Sequence, residues 1–139
     1  MKQNTYFVID DSKFARTVVK NIFNKLGYEF KGEAQSYKDA LAQIQRLKQA
    51  REELAYVTLD ITMPEIHGDE LIPIILEVYP DAKIIMTTSV ADKGTVTRCI
   101  AAGSKGYILK PVTEEKVLEA MNIITINSLL KKKGIDPNS

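Results

Sequence analysis

Two hydrophobic periods alternate along this chain, and that alternation limits what it can fold into. Short apolar runs at residues 6–9, 56–59, 84–86 and 107–109 are bounded by polar or turn residues and read as buried strands. Residues 28–34 alternate Tyr28, Phe30 and Gly32 with Glu29, Lys31 and Glu33, the half-exposed pattern of an edge strand. Between these runs, apolar residues return at helical spacing. Phe14, Val18, Ile22 and Leu26 suggest one helix face, stopped at Gly27. Leu41, Ile44, Leu47 and Leu54 suggest a second helix, lengthened through 43–55, and Val96, Cys99, Ile100 and Gly103 another. Val117, Leu118, Met121 and Ile124 suggest the last, with Thr113 as N-cap and Glu114 and Glu115 in the positive first turn. Residues 69–79 also look helical but contain Pro73, so that helix either starts late or begins distorted. Strand then helix, five times over, predicts an α/β fold: a five-stranded parallel sheet flanked by five helices, with right-handed crossovers.

A chain of 139 residues fits one domain, 1–139, with its core at about 5–127 and a C-terminal tail at about 131–139. Hydrophobic residues make up 45% and charged residues 27%, which excludes a disordered or collagenous chain. With 19 basic and 18 acidic side chains the net charge is +1, so no long-range attraction to nucleic acid is built in. Lys131, Lys132 and Lys133 read as a solvated helix end. Cys99 is the one cysteine, sits in an apolar helical stripe and reads as core; a chain that can form no internal disulfide suits the cytoplasm. No stretch approaches transmembrane length, and the N-terminal apolar run is too short for a secretion signal. Residues 134–139 read as frayed.

In an open parallel sheet, sites form beyond the carboxyl ends of the strands. Asp10 and Asp11 follow the first run, Asp60 the run at 56–59, Thr87, Thr88 and Ser89 the next, and Lys110 and Pro111 the last. Parallel neighbours lie about 4.8 Å apart, so three carboxylates, a hydroxyl cluster and an ammonium converge on one rim. Crowded carboxylates repel one another unless a cation intervenes. Lys110 supplies one positive charge, and a hard divalent ion supplies more. Mg2+ takes oxygen ligands, usually one or two carboxylates plus phosphate, whereas the Cys and His ligands of a zinc site are missing here. A carboxylate can also attack phosphorus to form an aspartyl phosphate. His67, beside Gly68 on the same rim, reads as an exposed loop residue rather than a ligand.

Four motifs then carry a resemblance. Val8-Ile9-Asp10-Asp11-Ser12, Thr58-Leu59-Asp60-Ile61-Thr62-Met63-Pro64 with Gly68, Met86-Thr87-Thr88-Ser89, and Gly106-Tyr107-Ile108-Leu109-Lys110-Pro111 stand in order at sensible spacings. Together they resemble the response regulator receiver domain family of two-component signalling, CheY-like members most of all, over about residues 5–127. The resemblance implies a flavodoxin-like, doubly wound (βα)5 sheet of order 2-1-3-4-5. It implies that Asp60 is the phosphoacceptor. It implies that Asp11, Asp60 and the backbone carbonyl of Thr62 hold Mg2+, or alternatively Mn2+, and that Asp10 reaches the ion through water. Lys110 is implied to pair with phosphoryl oxygens. Thr88 is the implied switch hydroxyl, with Ser89 as the alternative, and Tyr107 the aromatic that swings inward behind it. Pro111 is implied to follow a cis peptide bond, and Gly68 to be structural.

The implied function is a phosphorylation-driven switch, not an enzyme beyond its own phosphotransfer and slow autodephosphorylation. Its donor is a sensor histidine kinase or histidine phosphotransfer protein. Its target is a separate protein on the face of helix 4, strand 5 and helix 5, as in a stand-alone chemotaxis-type or phosphorelay regulator. A cytoplasmic monomer or weak dimer is expected, with neither nucleic acid nor membrane as partner. A receiver cut from a longer regulator is the alternative. Thr62 and Val90 occupy positions that tune phosphate lifetime, and apolar Val90 departs from the usual polar residue. An aspartate-nucleophile phosphatase would use the same residue types, but it places a general acid where this chain has Thr62. A flavin or nucleotide carrier would need a Gly-rich phosphate loop where Asp10 and Asp11 stand. A degenerate, phosphorylation-independent receiver would not need the full acidic, hydroxyl and lysine set.

Overall fold

The computed structural model describes residues 4–63, 68–90 and 92–136. His67 and Pro64 lie outside the described residues. Strands β1 (Thr5–Ile9), β2 (Glu29–Ala34), β3 (Tyr56–Asp60), β4 (Lys83–Thr88) and β5 (Gly106–Leu109) alternate with helices α1 (Lys13–Lys25), α2 (Tyr37–Gln49), α3 (Gly68–Val78), α4 (Lys93–Ala102) and α5 (Glu114–Lys132). The strands pair in parallel in the order β2-β1-β3-β4-β5, the doubly wound arrangement expected. The chain leaves β1 toward β2 and returns to β3 on the other side, so the switch point, where such folds bind ligands, lies beyond the ends of β1 and β3.

Alternation along the central strands splits the core in two. Phe7, Ile9, Val57, Leu59, Ile84 and Met86 pack against Ala40, Ile44, Leu71, Ile72, Ile75 and Cys99 of α2, α3 and α4. Tyr6, Val8, Tyr56, Ile85 and Ile108 pack against Val19, Phe23, Val117, Ala120 and Ile124 of α1 and α5. Side chains of successive strand residues point to opposite faces, which is why one strand feeds both layers. Caps fix the helix ends. Ser12, Ser36, Asp92 and Thr113 each accept an N–H from the first turn of their helix. Lys131 and Lys132 close the last turn of α5, exposed, and the tail turns back through the Ile135 amide to the Leu130 carbonyl at 2.9 Å.

Several expectations need correction. Phe14 does not share the buried face of α1: it is 79% exposed, and Val19 and Phe23 are the buried residues. Residues four apart advance about 40° past a full turn, so a row of four such residues winds off any one face. Ile100 of α4 and Leu118 of α5 are exposed as well. Helix α2 ends at Gln49 rather than continuing to residue 55. Arg51 turns left-handed at φ 60°, and the Glu52 amide closes back on the Leu47 carbonyl at 2.9 Å. Leu54 reaches the core from the following loop, at a spacing from Leu47 that mimics two helical turns. Helix α3 runs through Pro73, whose ring lies on its exposed side. Gly103 caps α4 at φ 122°, pressed against Leu76, where a side chain would be strained.

Buried Thr58, in the middle of β3, has a hydroxyl without a hydrogen-bond partner among the described residues. A buried polar group left unpaired is destabilising, and valine has the same shape without it. Thr58→Val is therefore expected to raise stability by about 1 kcal/mol, read as a higher urea midpoint at unchanged slope. A lower midpoint would show that the hydroxyl has a stabilising partner.

Candidate functional site

The carboxyl ends of β1, β3 and β5 bring the acidic and basic residues together. Asp10 follows the last residue of β1, Asp60 is the last residue of β3, and Lys110 follows β5. Carboxylate oxygens of Asp10, Asp11 and Asp60 all lie within 4.8 Å of one another, with Asp10 and Asp60 buried and Asp11 exposed. The Lys110 ammonium stands 2.8 Å from Asp10 Oδ2 and 3.4 Å from Asp60 Oδ2. This donor set is oxygen throughout, which fits a hard divalent cation and not a zinc site.

Backbone and hydroxyl donors fix the two buried carboxylates. The Ser12 amide donates to Asp10 Oδ1 at 2.9 Å, in the same turn that caps α1. The Thr62 amide and hydroxyl both donate to Asp60 Oδ1, at 2.9 and 2.6 Å. Asp60 Oδ1 is thus held by its own loop, while Oδ2 faces Lys110. Burial nevertheless pushes the Asp10 carboxyl above its ordinary range, against the hydrogen bonds from Lys110 and Ser12, and the charge of Asp60 pushes the same way. Burial pulls the Lys110 ammonium down, but the hydrogen bond to Asp10 and the charges of both aspartates outweigh it and raise it overall. The ion pair is therefore lopsided: it secures the charge on lysine while Asp10 stays costly to ionise.

The other expected residues surround this cluster. Thr88, last in β4, is buried, and its hydroxyl is engaged by its own loop: it accepts from the Val90 amide at 3.1 Å and donates to the Val90 carbonyl at 3.0 Å. Ser89 is exposed, whereas Thr87 and Thr88 are both buried. Val90 is 61% exposed. Tyr107 on β5 is half-exposed. The Lys110–Pro111 peptide is cis. Gly68 is buried against Ile61, where an added Cβ would stand 2.7 Å from Cγ2 of that residue.

Two residues at the rim were not singled out from sequence. Arg16 on α1 donates through a terminal nitrogen to the Asp10 carbonyl at 2.7 Å and through Nε to Glu33 on β2 at 2.7 Å. Lys20 pairs with the same Glu33, whose carboxyl these cations hold below its ordinary range despite partial burial. Tyr37, the first residue of α2, is buried and donates its hydroxyl to the Asp60 carbonyl at 2.8 Å. Arg16 stands one turn into the helix after Asp11, a spacing that could have flagged it. Tyr37 meets Asp60 across 23 residues of sequence, and no local pattern announces that.

Comparison with known proteins places this arrangement. A family model described as response regulator receiver domain matches residues 6–122. The chemotaxis protein CheY of Thermotoga maritima is 37% identical over 118 residues, covering 85% of this chain and 94% of that protein. A CheY-like receiver domain protein from Methanospirillum hungatei superposes with a TM-score of 0.75 at 25% identity, covering 94% of this chain and 98% of the other. A CheX–CheY–BeF3–Mg2+ complex from Borrelia burgdorferi matches with a TM-score of 0.75 at 27% identity, over 87% of this chain and 88% of that one.

The raised Asp10 carboxyl sets a pH dependence. In the folded protein this group binds its proton more tightly than at its unfolded value near 3.8, so folding is favoured as pH falls toward that value and penalised as pH rises above it. Asp10→Asn removes this penalty. The variant is expected to be more stable than the parent at neutral pH, the gain shrinking as pH is lowered from about 7 to about 4, in urea titrations at each pH. A gain of the same size at every pH would contradict the assignment.

Proposed function

The chain belongs to the response regulator receiver domain family, with chemotaxis CheY proteins among its relatives, and on that premise we propose that Asp60 takes a phosphoryl group from a phosphohistidine and thereby switches the binding of a separate protein. The observation that carries this reading is the cluster itself: three carboxylates within 4.8 Å of one another, with Lys110 between Asp10 and Asp60. Asp11, Asp60 and the Thr62 carbonyl would hold Mg2+ (Mn2+ in its place), with Asp10 reaching it through water. When bound, the ion supplies positive charge against the oxygens of the phosphoryl group.

Asp60 supplies the nucleophile. An Asp60 carboxylate oxygen forms the new bond to phosphorus as the bond from phosphorus to the histidine nitrogen breaks, and the electron pair leaves with the imidazole. Lys110, already at Oδ2, stays against the added negative charge. The Thr88 hydroxyl exchanges its two contacts with Val90 for a phosphoryl oxygen, which frees the loop after β4. Tyr107, half-exposed before the change, swings inward as that loop moves. A local charge is thereby read out through a two-state element.

The face of α4, β5 and α5 is where that change reaches the surface. It carries exposed Ile100, Tyr107, Leu109 and Ile123, and Ile100, Tyr107 and Ile123 line a groove of about 1030 Å3. A sensor histidine kinase or histidine phosphotransfer protein serves as donor, and the target docks on this face. The complex of a Borrelia CheY with CheX supports a separate protein as the kind of partner. Among the described residues no helix is long and apolar enough to cross a membrane, which fits a cytoplasmic site of action. The chain acts as a single receiver domain, a monomer or weak dimer.

Incubation with Mg2+ and acetyl phosphate, followed by intact mass, tests the chemistry. One phosphoryl adduct is expected, dependent on Mg2+ and missing in Asp60→Asn. Sustained phosphate release from small phosphoesters without an adduct would favour a phosphatase instead.

A further inference from the structure

We propose that Tyr37 is a positioning residue for the phosphoacceptor: its hydroxyl holds the Asp60–Ile61 peptide plane in the orientation the acidic cluster needs. The inference rests on the acceptor role given to Asp60 above.

The ladder between β1 and β3 ends at the Ile9–Leu59 pair, so Asp60 lies one residue past the last partner that β1 offers. Its carbonyl is met there by the Tyr37 hydroxyl at 2.8 Å. The N–H of the same peptide, on Ile61, donates to the Thr87 carbonyl of β4 at 3.2 Å. A peptide group is planar, so a plane held at both its oxygen and its nitrogen has little freedom to tilt. One anchor belongs to α2 and the other to β4.

The consequence falls on Thr62. The torsions flanking that plane decide where the next residue goes, and Thr62 places both its amide and its hydroxyl on Asp60 Oδ1. The Thr62 carbonyl, assigned above as a cation ligand, leaves from the same residue. Tyr37 is fully enclosed at 1% exposure, and its N-cap Ser36 fixes the start of α2 behind it, so the hydroxyl has a rigid base. Without the hydroxyl, the plane keeps the Thr87 contact but loses its anchor on α2, and the loop that orients the acceptor loosens.

The chain contains its own control. Tyr79 is also buried, and its hydroxyl also donates to a backbone carbonyl, that of Glu52, at 2.7 Å. Glu52 precedes β3, whereas Asp60 ends it, so the two hydroxyls serve opposite ends of the strand. Tyr37→Phe and Tyr79→Phe each delete one such bond and keep the ring.

Two readouts decide the matter: the rate of phosphoryl uptake from acetyl phosphate at saturating Mg2+, and hydrogen exchange of the Ile61 and Thr62 amides with neither Mg2+ nor phosphodonor present. Tyr37→Phe is expected to slow uptake roughly tenfold, as small misplacements of reacting groups do. It is also expected to speed exchange at both amides, with Tyr79→Phe melting at a similar temperature but matching the parent in both readouts. Uptake and exchange in Tyr37→Phe equal to those in Tyr79→Phe would overturn the proposal. If the parent protein itself takes up no phosphoryl group, the acceptor role of Asp60 falls, and unchanged exchange in Tyr37→Phe would then overturn the peptide clamp separately.

Discussion

The ion pairs of Lys110 tie the site together. Its ammonium starts from the end of β5 and reaches carboxylates at the ends of β3 and β1, which lie two and three places away in the sheet. Only a parallel sheet brings these ends to one rim, because every strand then finishes on the same side. The neutralisation is incomplete. With all three ionised, Asp10, Asp11 and Asp60 amount to three negative charges against the one positive charge of Lys110, an excess of two. We propose that a doubly charged hard cation answers that excess.

Such a site is held against its own preferences. Asp10 is buried and hard to ionise, yet it stays in place because its carboxylate takes the Ser12 amide and Lys110, and its carbonyl takes Arg16. Asp60 is held in the same double manner, its carboxylate by Thr62 and its carbonyl by Tyr37. In both cases the side chain that holds the carbonyl comes from a helix flanking the sheet, α1 for Asp10 and α2 for Asp60. The two hydrophobic layers therefore do more than stabilise the sheet. They fix the helices from which Arg16 and Tyr37 reach the rim. Folds commonly place locally unfavourable groups at functional positions and offset them elsewhere.

What could be read from the sequence followed from short-range rules. The apolar runs gave the strands, because burial of a short segment on both faces leaves a continuous apolar signature. The first residues after those runs gave Asp10, Asp11, Asp60, Thr88 and Lys110, because strand ends and rim coincide in this topology. Less legible was what depends on angle. Phe14 looked interior since four apolar residues recurred at every fourth position, but the helix turns such a row away from the core. Leu54 looked helical at a seven-residue spacing from Leu47, and only the left-handed Arg51 between them shows that the helix has ended. The contact of Tyr37 with Asp60 depends on how α2 is laid against the sheet, a matter of tertiary packing that no local pattern encodes.

The central claim is that the negative excess at this rim is met by a hard divalent cation. Its most direct test is the urea midpoint of the protein with and without Mg2+ at constant ionic strength, with Asp11→Asn alongside. Binding to the folded state alone stabilises it by about 2.7 kcal/mol at a concentration a hundredfold above the dissociation constant. The account expects the midpoint to climb with Mg2+ in the parent and to stay level in Asp11→Asn. A midpoint in the parent that ignores Mg2+, or one that climbs equally in the variant, would contradict it.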